Sequence, residues 1–246
     1  MDNTTLSTIF YSSLAGFSTL AGIYFVVLND KIAEKYTQQL MSFAAGILLA
    51  TAFFHLIPES VELHGEHVYL YILGGFLTFY VLESIVTVHA GPELHHINHF
   101  KGENIEVSAK MAFFGLLLHS VIDGIIIGVG FEIDPTIGAF ATFSIIMHEL
   151  PEGVTTYSLM MLTESKKSAL IKSWGVALAT PMGALISLLF IKEISEPVIG
   201  ALLGIASGTF IYVAAADLIP KTHNHKGVSN IVFLMLGVVV IFFMSH

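Results

Sequence analysis

Two fragments of this sequence repeat one pattern, His119-Ser120-Val121-Ile122-Asp123-Gly124 and His148-Glu149-Leu150-Pro151-Glu152-Gly153. In each fragment a carboxylate follows a histidine by four residues, and a glycine follows the carboxylate. Both fragments lie inside long apolar runs. Positions i and i+4 share one face of a helix, so each histidine and its carboxylate would point the same way. Ionisable groups inside apolar segments are costly, which makes a functional site the first hypothesis.

The composition indicates a helical membrane protein. Of 246 residues, 54% are hydrophobic and only 12% are charged, about half the charged fraction of a soluble domain. Apolar runs of roughly 18 residues or more recur along the chain, as in a polytopic helical protein, whereas the alternating segments of a β-barrel do not occur. The absence of cysteine excludes disulfides and thiolate metal sites. We expect an all-α membrane protein in which residues 1–246 form a single membrane domain.

Charged and turn residues divide the chain into eight apolar segments, which we interpret as membrane spans. The first is too long for the apolar part of a cleaved signal peptide and lacks the basic residues that precede one. The segments are Thr5–Leu28, Leu40–Pro58, Val68–Val88, Lys110–Gly130, Ile137–Leu162, Ile171–Ile191, Pro197–Ile219 and Val228–Met244.

An internal repeat relates the second span to the seventh. Ala44-Ala45-Gly46 and Leu56-Ile57-Pro58 recur at one constant offset as Ala206-Ser207-Gly208 and Leu218-Ile219-Pro220. Six of the fifteen pairs between 44 and 58 are identical. The two spans cross the membrane in opposite directions, so the repeat is inverted. We therefore predict a 3+2+3 arrangement, in which spans 1–3 and 6–8 are inverted units around a central pair, spans 4 and 5.

The lysines predict the orientation. Nine of the ten lie on one side of the predicted membrane, and only Lys192 lies on the other. The positive-inside rule assigns the nine to the cytoplasm and both termini to the outside. The loops on the outer side are acidic, which suits a cation that is taken in. Their carboxylates are Glu59, Glu62, Glu66, Glu132, Asp134, Glu193 and Glu196.

The central pair carries the main candidate site. His119 and His148 lie near the midpoints of two antiparallel spans, so their side chains can converge at mid-membrane. Imidazole nitrogens with carboxylate oxygens suit divalent ions such as zinc, iron(II) or manganese. The predicted metal ligands are His119, Asp123, His148 and Glu152, with Ser120 and Glu149 extending the site toward a second ion.

Two other interpretations remain open at this point. The polar groups could be ordinary interhelical hydrogen-bonding or proton-relay groups. Alternatively, the chain could be an intramembrane metal-dependent hydrolase, for which His-Glu-x-x-His on an unbroken helix is typical. Here the fifth position is Glu152, and Pro151 interrupts the turn. We therefore expect a protein that is not an enzyme.

Further candidates lie toward the two membrane surfaces. His55 and Glu59 end the second span on the outer side, where they could gather metal at an entrance. Asp217, the repeat partner of His55, ends the seventh span near the cytosol and could bind metal at an exit. A cytosolic loop at about residues 89–109 is rich in histidine, a composition typical of metal binding. The cytosolic histidines concerned are His95, His96, His99, His223 and His225.

The paired motifs, the eight spans in a 3+2+3 arrangement and the sequence HLIPE at 55–59 resemble the ZIP (Zrt/Irt-like) family of divalent-metal transporters. The resemblance implies uptake of zinc, or of iron, manganese or cadmium, into the cytosol across the cell (plasma) membrane by alternating access. It implies elevator-like movement of helix bundles within a homodimer, with the metal as substrate rather than cofactor. Lipid is the other expected partner, and nucleic acid is not.

When the metal-binding positions of the family are matched to this sequence, the resemblance implies a primary metal site formed by His119, Asp123 and Glu152. Ser120, His148 and Glu149 would form or border an adjacent second site. Many family members have asparagine in place of Ser120 and Pro-Glu in place of Ile122-Asp123. Serine is a weaker ligand than an amide carbonyl, so we expect one ion at the centre.

Overall fold

The computed structural model describes residues 3–90, 105–190, 195–222 and 227–244, and all regular structure in these ranges is helical. A π-helical turn, Ala52–Leu56, joins α2 to α3, and a second, Val213–Leu218, joins α8 to α9. The helices are α1 (Asn3–Leu28), α2 (Asp30–Thr51), α3 (Ile57–His64), α4 (Val68–Ala90), α5 (Ile105–Ile133), α6 (Pro135–Met160), α7 (Lys166–Phe190), α8 (Glu196–Tyr212), α9 (Ile219–Thr222) and α10 (Gly227–Met244).

Among the described residues, six helical segments are long and apolar enough to cross a membrane. The predicted third and fifth spans correspond to α4 and α6, helices of 23 and 26 residues. The described apolar part of α4, Val68–Leu82, is shorter than the other segments. Helix α6 is less apolar because His148, Glu149 and Glu152 lie within it. The six are Asn3–Leu28, Lys35–His64, Phe113–Ile133, Lys166–Phe190, Glu196–Leu218 and Gly227–Met244.

The surface is apolar and part of the interior is polar. Leu28 and Leu189 are 82% and 83% exposed, whereas Asp123, His148 and Glu149 are buried. A soluble domain has the opposite tendency, since its charged side chains are almost never fully buried. The distribution fits a protein surrounded by lipid, in which ionisable groups face the interior of the helix bundle.

The helices pack as two groups. The first group contains α1, α5, α6 and α7, and the second contains α2, α4, α8 and α10, with α3 packed on α8. Between the groups, α6 packs against α2, and α5 packs against α4 and α8. The two helices that carry the paired motifs therefore lie at the boundary between the groups.

Close crossings at glycine join the helices of each group in pairs. A Cβ added to Gly22 of α1 would lie 2.0 Å from the carbonyl oxygen of Leu150, and one added to Gly153 of α6 would lie 2.1 Å from that of Thr19. Only glycine permits such an approach of two backbones, the geometry by which small residues pack membrane helices. The other reciprocal pairs are Gly124 with Gly183 (α5 and α7), Gly46 with Gly237 (α2 and α10) and Gly75 with Gly208 (α4 and α8).

These glycines follow the spacing of the sequence repeat. In the sequence, Gly46 and Gly208 are separated by the same number of residues as Gly75 and Gly237. This number equals the offset between the two repeated segments. The contact between α2 and α10 thus has its counterpart in the contact between α8 and α4. Gly22 and Gly183 are separated by nearly the same number of residues. The contact of α1 with α6 at Gly22 therefore corresponds to the contact of α7 with α5 at Gly183.

The two π turns also occupy equivalent positions. The N–H of Ile57 donates to the carbonyl of Ala52, and the N–H of Ile219 donates to that of Ala214. A proline follows each of these isoleucines directly. Proline lacks an N–H, and its ring clashes with the carbonyl four residues earlier, so a wider turn relieves the crowding.

Hydrogen bonds fix the connections at both ends of α6. Asp134 precedes the helix, and its carboxylate accepts from the N–H of Thr136 at 2.7 Å. The hydrogen bonds from Thr136 hold the pKa of the Asp134 carboxyl below its ordinary value. After α6, Glu164 accepts from the side chains of Lys172 and Ser168. These bonds lower the pKa of the Glu164 carboxyl, with that from Lys172 the larger cause.

We expect Gly46→Ala to destabilise the protein by about 1–3 kcal/mol, because the new Cβ would lie 2.0 Å from the Leu234 carbonyl oxygen and must separate α2 from α10. Thermal unfolding in detergent measures the effect. Gly74→Ala is the matched control, since a Cβ there meets nothing within 4 Å. Its melting temperature should stay the same or rise, because alanine favours helix over glycine. Equal melting temperatures for the two variants would contradict the packing described above.

Candidate metal centre

Helices α5 and α6 bring the paired motifs into contact. His119 and Asp123 project from the middle of α5, and His148 and Glu152 project from the middle of α6. Nε2 of His119 lies 3.2 Å from a carboxylate oxygen of Glu152 and 3.4 Å from one of Asp123. Nε2 of His148 lies 2.7 Å from the same Asp123 oxygen. The four predicted ligands therefore form one connected cluster, which we call the central cluster.

Three members of the central cluster could bind one ion together. His119, His148 and Glu152 each offer a ligand atom, and these atoms lie within 4.8 Å of one another. Asp123 is not a member of this group, although one of its carboxylate oxygens contacts both histidines. The Asp123 oxygen between the two Nε2 atoms can complete a set of four, the usual number for zinc. Histidine and carboxylate ligands are typical of divalent transition metals.

A hydrogen bond from α6 itself orients His148. Its Nδ1 lies 3.0 Å from the carbonyl oxygen of Ser144, one turn earlier. A carbonyl only accepts, so Nδ1 must carry a hydrogen, and Nε2 is then the nitrogen available to a metal. The 2.7 Å contact between Nε2 and Asp123 requires a proton on one of the two atoms. A metal that binds both atoms must displace that proton.

Aromatic side chains of the second group cover the central cluster. The ring of Phe79 in α4 packs edge-on against His119 at 5.3 Å, and Phe210 in α8 lies 6.2 Å from the ring of His148. Nδ1 of His119 is buried without a hydrogen-bond partner among the described residues. The cluster is thus enclosed on one side by the first group and on the other by the second.

Ser120 lies beside the central cluster. Its hydroxyl is buried and donates to the second carboxylate oxygen of Glu152 at 3.2 Å. Ser120 therefore contacts a predicted ligand and can orient it, whether or not its own oxygen binds metal.

Glu149 points in a different direction from the other predicted ligands. One of its carboxylate oxygens accepts from the hydroxyl of Thr19 in α1, and the other accepts from that of Thr180 in α7 at 2.6 Å. Glu149 is fully buried and does not belong to the group of three ligand atoms described above.

The candidates near the membrane surfaces lie apart from the centre. His55 lies in the first π turn, with its ring stacked on that of Phe140 at 3.6 Å, and Glu59 follows in the first turn of α3. Asp217 is half-buried in the second π turn. Helices reach Ala90 and resume at Ile105, and so occupy part of the range 89–109 predicted as a loop. His95, His96, His99, His223 and His225 lie outside the described residues.

The hydroxyl groups that form hydrogen bonds with side chains of α6 were not predicted from the sequence. Thr19 and Thr180 bond to Glu149, and the hydroxyls of Thr51 and Ser144 bond to each other at 2.6 Å between α2 and α6. A signal for the first two was present. Thr19-Leu20-Ala21-Gly22 and Thr180-Pro181-Met182-Gly183 share the form Thr-x-x-Gly, at a separation close to the offset of the repeat.

The fold and the central cluster define a class of protein, a multi-pass helical membrane protein with a buried histidine–carboxylate group suited to a divalent metal. Comparison with known sequences agrees with this class. The sequence model of the family described as ZIP Zinc transporter matches residues 2–104 and 90–245. The chain belongs to this family.

Similar proteins come from distant organisms. The chain is 26% identical to "Zinc transporter zipt-7.1" of Caenorhabditis briggsae, with 92% of this chain and 72% of that protein aligned. It is 24% identical to "Zinc transporter ZIP13" of Pongo abelii (89% and 70%) and 23% identical to "Zinc transporter ZupT" of Chlorobium phaeovibrioides (89% and 90%). These relatives are transporters rather than enzymes, so a hydrolase is not favoured.

We expect zinc-edge X-ray absorption of the zinc-loaded protein to show nitrogen and oxygen ligands at about 2.0–2.1 Å. Multiple scattering should indicate two imidazole rings, since His119 and His148 both face the cluster. His148→Ala should reduce the count to one ring. An unchanged count in that variant, or a shell without imidazole in the wild type, would contradict the assignment of the cluster as the zinc site.

Proposed function

We propose that the protein transports zinc or a related divalent transition metal across the membrane into the cytosol by alternating access, through a site formed by His119, Asp123, His148 and Glu152. The observation that carries the proposal is the position of the central cluster near the midpoints of α5 and α6, where Asp123, His148 and Glu152 are buried and the side chain of His119 is 12% exposed. The chain's membership of the ZIP family and the names of its relatives support zinc as the substrate.

The charges of the central cluster suit an ion that must cross lipid. Two neutral imidazoles and two carboxylates together balance the two positive charges of a divalent cation. The ion and its ligands are then neutral as a unit, which reduces the cost of their burial in a medium of low dielectric constant. A monovalent cation would leave one negative charge unbalanced. The ligand set therefore favours a divalent substrate.

The proposed frame consists of eight spans in a 3+2+3 arrangement within one membrane domain. Helices α4 and α6 complete the eight together with the six segments that are long and apolar enough to span. The inverted relation of spans 1–3 to spans 6–8 is supported by the spacing of the reciprocal glycine pairs and by the two equivalent π turns. Inverted repeats commonly surround a transport site near the midplane.

Movement of one helix group past the other would provide alternating access. The central cluster lies where the groups meet, so such a movement would expose it to either side in turn. The boundary also contains a cavity of about 170 Å³ with an apolar lining that includes Phe79, Ile122 and Leu203. The hydrogen bond between Thr51 and Ser144 crosses the boundary and must break if the groups slide.

The charge pattern of the sequence supports transport toward the cytosol. Lysines face the proposed cytosol, and acidic loops face the outside. We propose the cell membrane as the location and a homodimer as the assembly. His55 and Glu59 would receive metal on the outer side, and Asp217 with the cytosolic histidines would release it. Iron, manganese and cadmium share these ligands, and the general order of affinities places zinc above iron and manganese.

Asp123→Asn should reduce zinc uptake into proteoliposomes by at least about tenfold, because the ion and its ligands would retain one positive charge at mid-membrane. The matched control is Asp30→Asn. Asp30 lies exposed at the start of α2, where its carboxylate accepts from the N–H of the neighbouring Lys31, so uptake should stay at the wild-type rate. Equal rates for the two variants would contradict transport through the central cluster.

The orientation is tested by single cysteines, since the chain contains none of its own. A membrane-impermeant maleimide should label Glu62→Cys in intact cells, because Glu62 is exposed and belongs to the proposed outer side. Lys167→Cys, also exposed, should be labelled only after permeabilisation. The cysteine-free parent is the control for background. The reverse labelling pattern would mean that the proposed orientation is inverted.

A further inference from the structure

We propose that Glu149 is a positioning residue whose carboxyl joins α6 to α1 and α7 through Thr19 and Thr180 and takes no part in binding the metal. We call these three residues the Thr–Glu–Thr clamp. The inference rests on the proposed function in one respect, namely that the central cluster binds a divalent ion. It gives a structural reason for the single central ion that the sequence predicts.

Both oxygens of the Glu149 carboxyl already have donors. The hydroxyl of Thr19 donates to one oxygen, and that of Thr180 donates to the other at 2.6 Å. The side chain is 0% exposed, as are both threonines. Each oxygen keeps a second lone pair, so these bonds fix the direction of the carboxyl group, toward α1 and α7, rather than occupy it completely.

The helix geometry separates Glu149 from the central cluster. Around the helix axis, His148 and Glu152 differ in direction by about 40°, whereas His148 and Glu149 differ by about 100°. His148 and Glu152 consequently face α5, where their partners lie, whereas Glu149 faces α1 and α7.

The clamp threonines pack directly behind the two carboxylate ligands. A Cβ on Gly153, which follows Glu152, would lie 2.1 Å from the carbonyl oxygen of Thr19. A Cβ on Gly124, which follows Asp123, would lie 1.9 Å from the carbonyl oxygen of Thr180. One carboxyl group thus holds the two backbone segments that support both ligands.

The clamp also uses equivalent positions of the two halves. The separation of Thr19 from Thr180 equals that of Gly22 from Gly183. Each threonine begins a Thr-x-x-Gly segment at a close helix crossing. Glu149 binds both of these equivalent hydroxyls at once, and so fixes α1 and α7 to the same point on α6.

Zinc titration of the purified full-length protein tests the proposal. Glu149→Gln should bind one zinc per chain with an affinity within about threefold of the wild type, because the amide can accept from one threonine and donate to the other. Thr19→Val and Thr180→Val should each weaken binding by about tenfold or more, as loss of an orienting hydrogen bond does elsewhere. Thr19→Ser and Thr180→Ser keep the hydroxyl and should restore the affinity.

The opposite pattern would overturn the proposal. A loss of affinity or of a second bound zinc in Glu149→Gln, with normal binding by the valine variants, would make Glu149 a ligand. Normal binding by every variant would show that the clamp does not position the site. If the valine variants do not fold, loss of a bound zinc in Glu149→Gln still overturns the proposal, and Thr19→Ser and Thr180→Ser must then bind zinc as the wild type does. Absence of zinc binding by the wild type would instead refute the proposed function, which keeps the two failures distinct.

Discussion

A divalent cation in the middle of a lipid bilayer must be surrounded by ligands that balance its charge, and this requirement organises the rest of the molecule. In the proposed site, two carboxylates would supply the charge, and two imidazoles would supply neutral nitrogen ligands. In the described structure, the carboxylates contact the imidazoles directly, so each buried charge has a hydrogen-bonding partner within the cluster. Such pairing is what makes ionised groups tolerable away from water.

The cluster can keep this geometry because the helices that carry it approach their neighbours without intervening side chains. Gly124 and Gly153 directly follow Asp123 and Glu152, the two proposed carboxylate ligands, and each leaves room for a backbone carbonyl of α7 or α1 where a Cβ would otherwise lie. On each of α5 and α6, the helical turn that carries the carboxylate therefore also carries the glycine that contacts the neighbouring helix. Lipid supplies no hydrophobic force between helices, so such packing is a main source of their association.

Much of the architecture could be predicted from the sequence, since apolar runs and the i, i+4 spacing of His119 with Asp123 and of His148 with Glu152 are local signals. The helical class and the contact between the two motifs follow from them. The direction of the Glu149 side chain could not be predicted, because Glu149 lies next to His148 and near Glu152, and all three are residue types that bind metals. Its partners Thr19 and Thr180 come from helices 130 and 31 residues away. Hydroxyls in apolar helices are common, and only tertiary packing selects the two that meet a carboxyl group.

The location and number of bound ions test this account most directly. Anomalous diffraction from zinc-loaded crystals, collected at the zinc absorption edge, would measure both. The account predicts one peak per chain at the centre, between Nε2 of His119, Nε2 of His148 and the carboxylate of Glu152. A second central peak bound by Glu149, or a centre without a peak in protein that has taken up zinc, would contradict it.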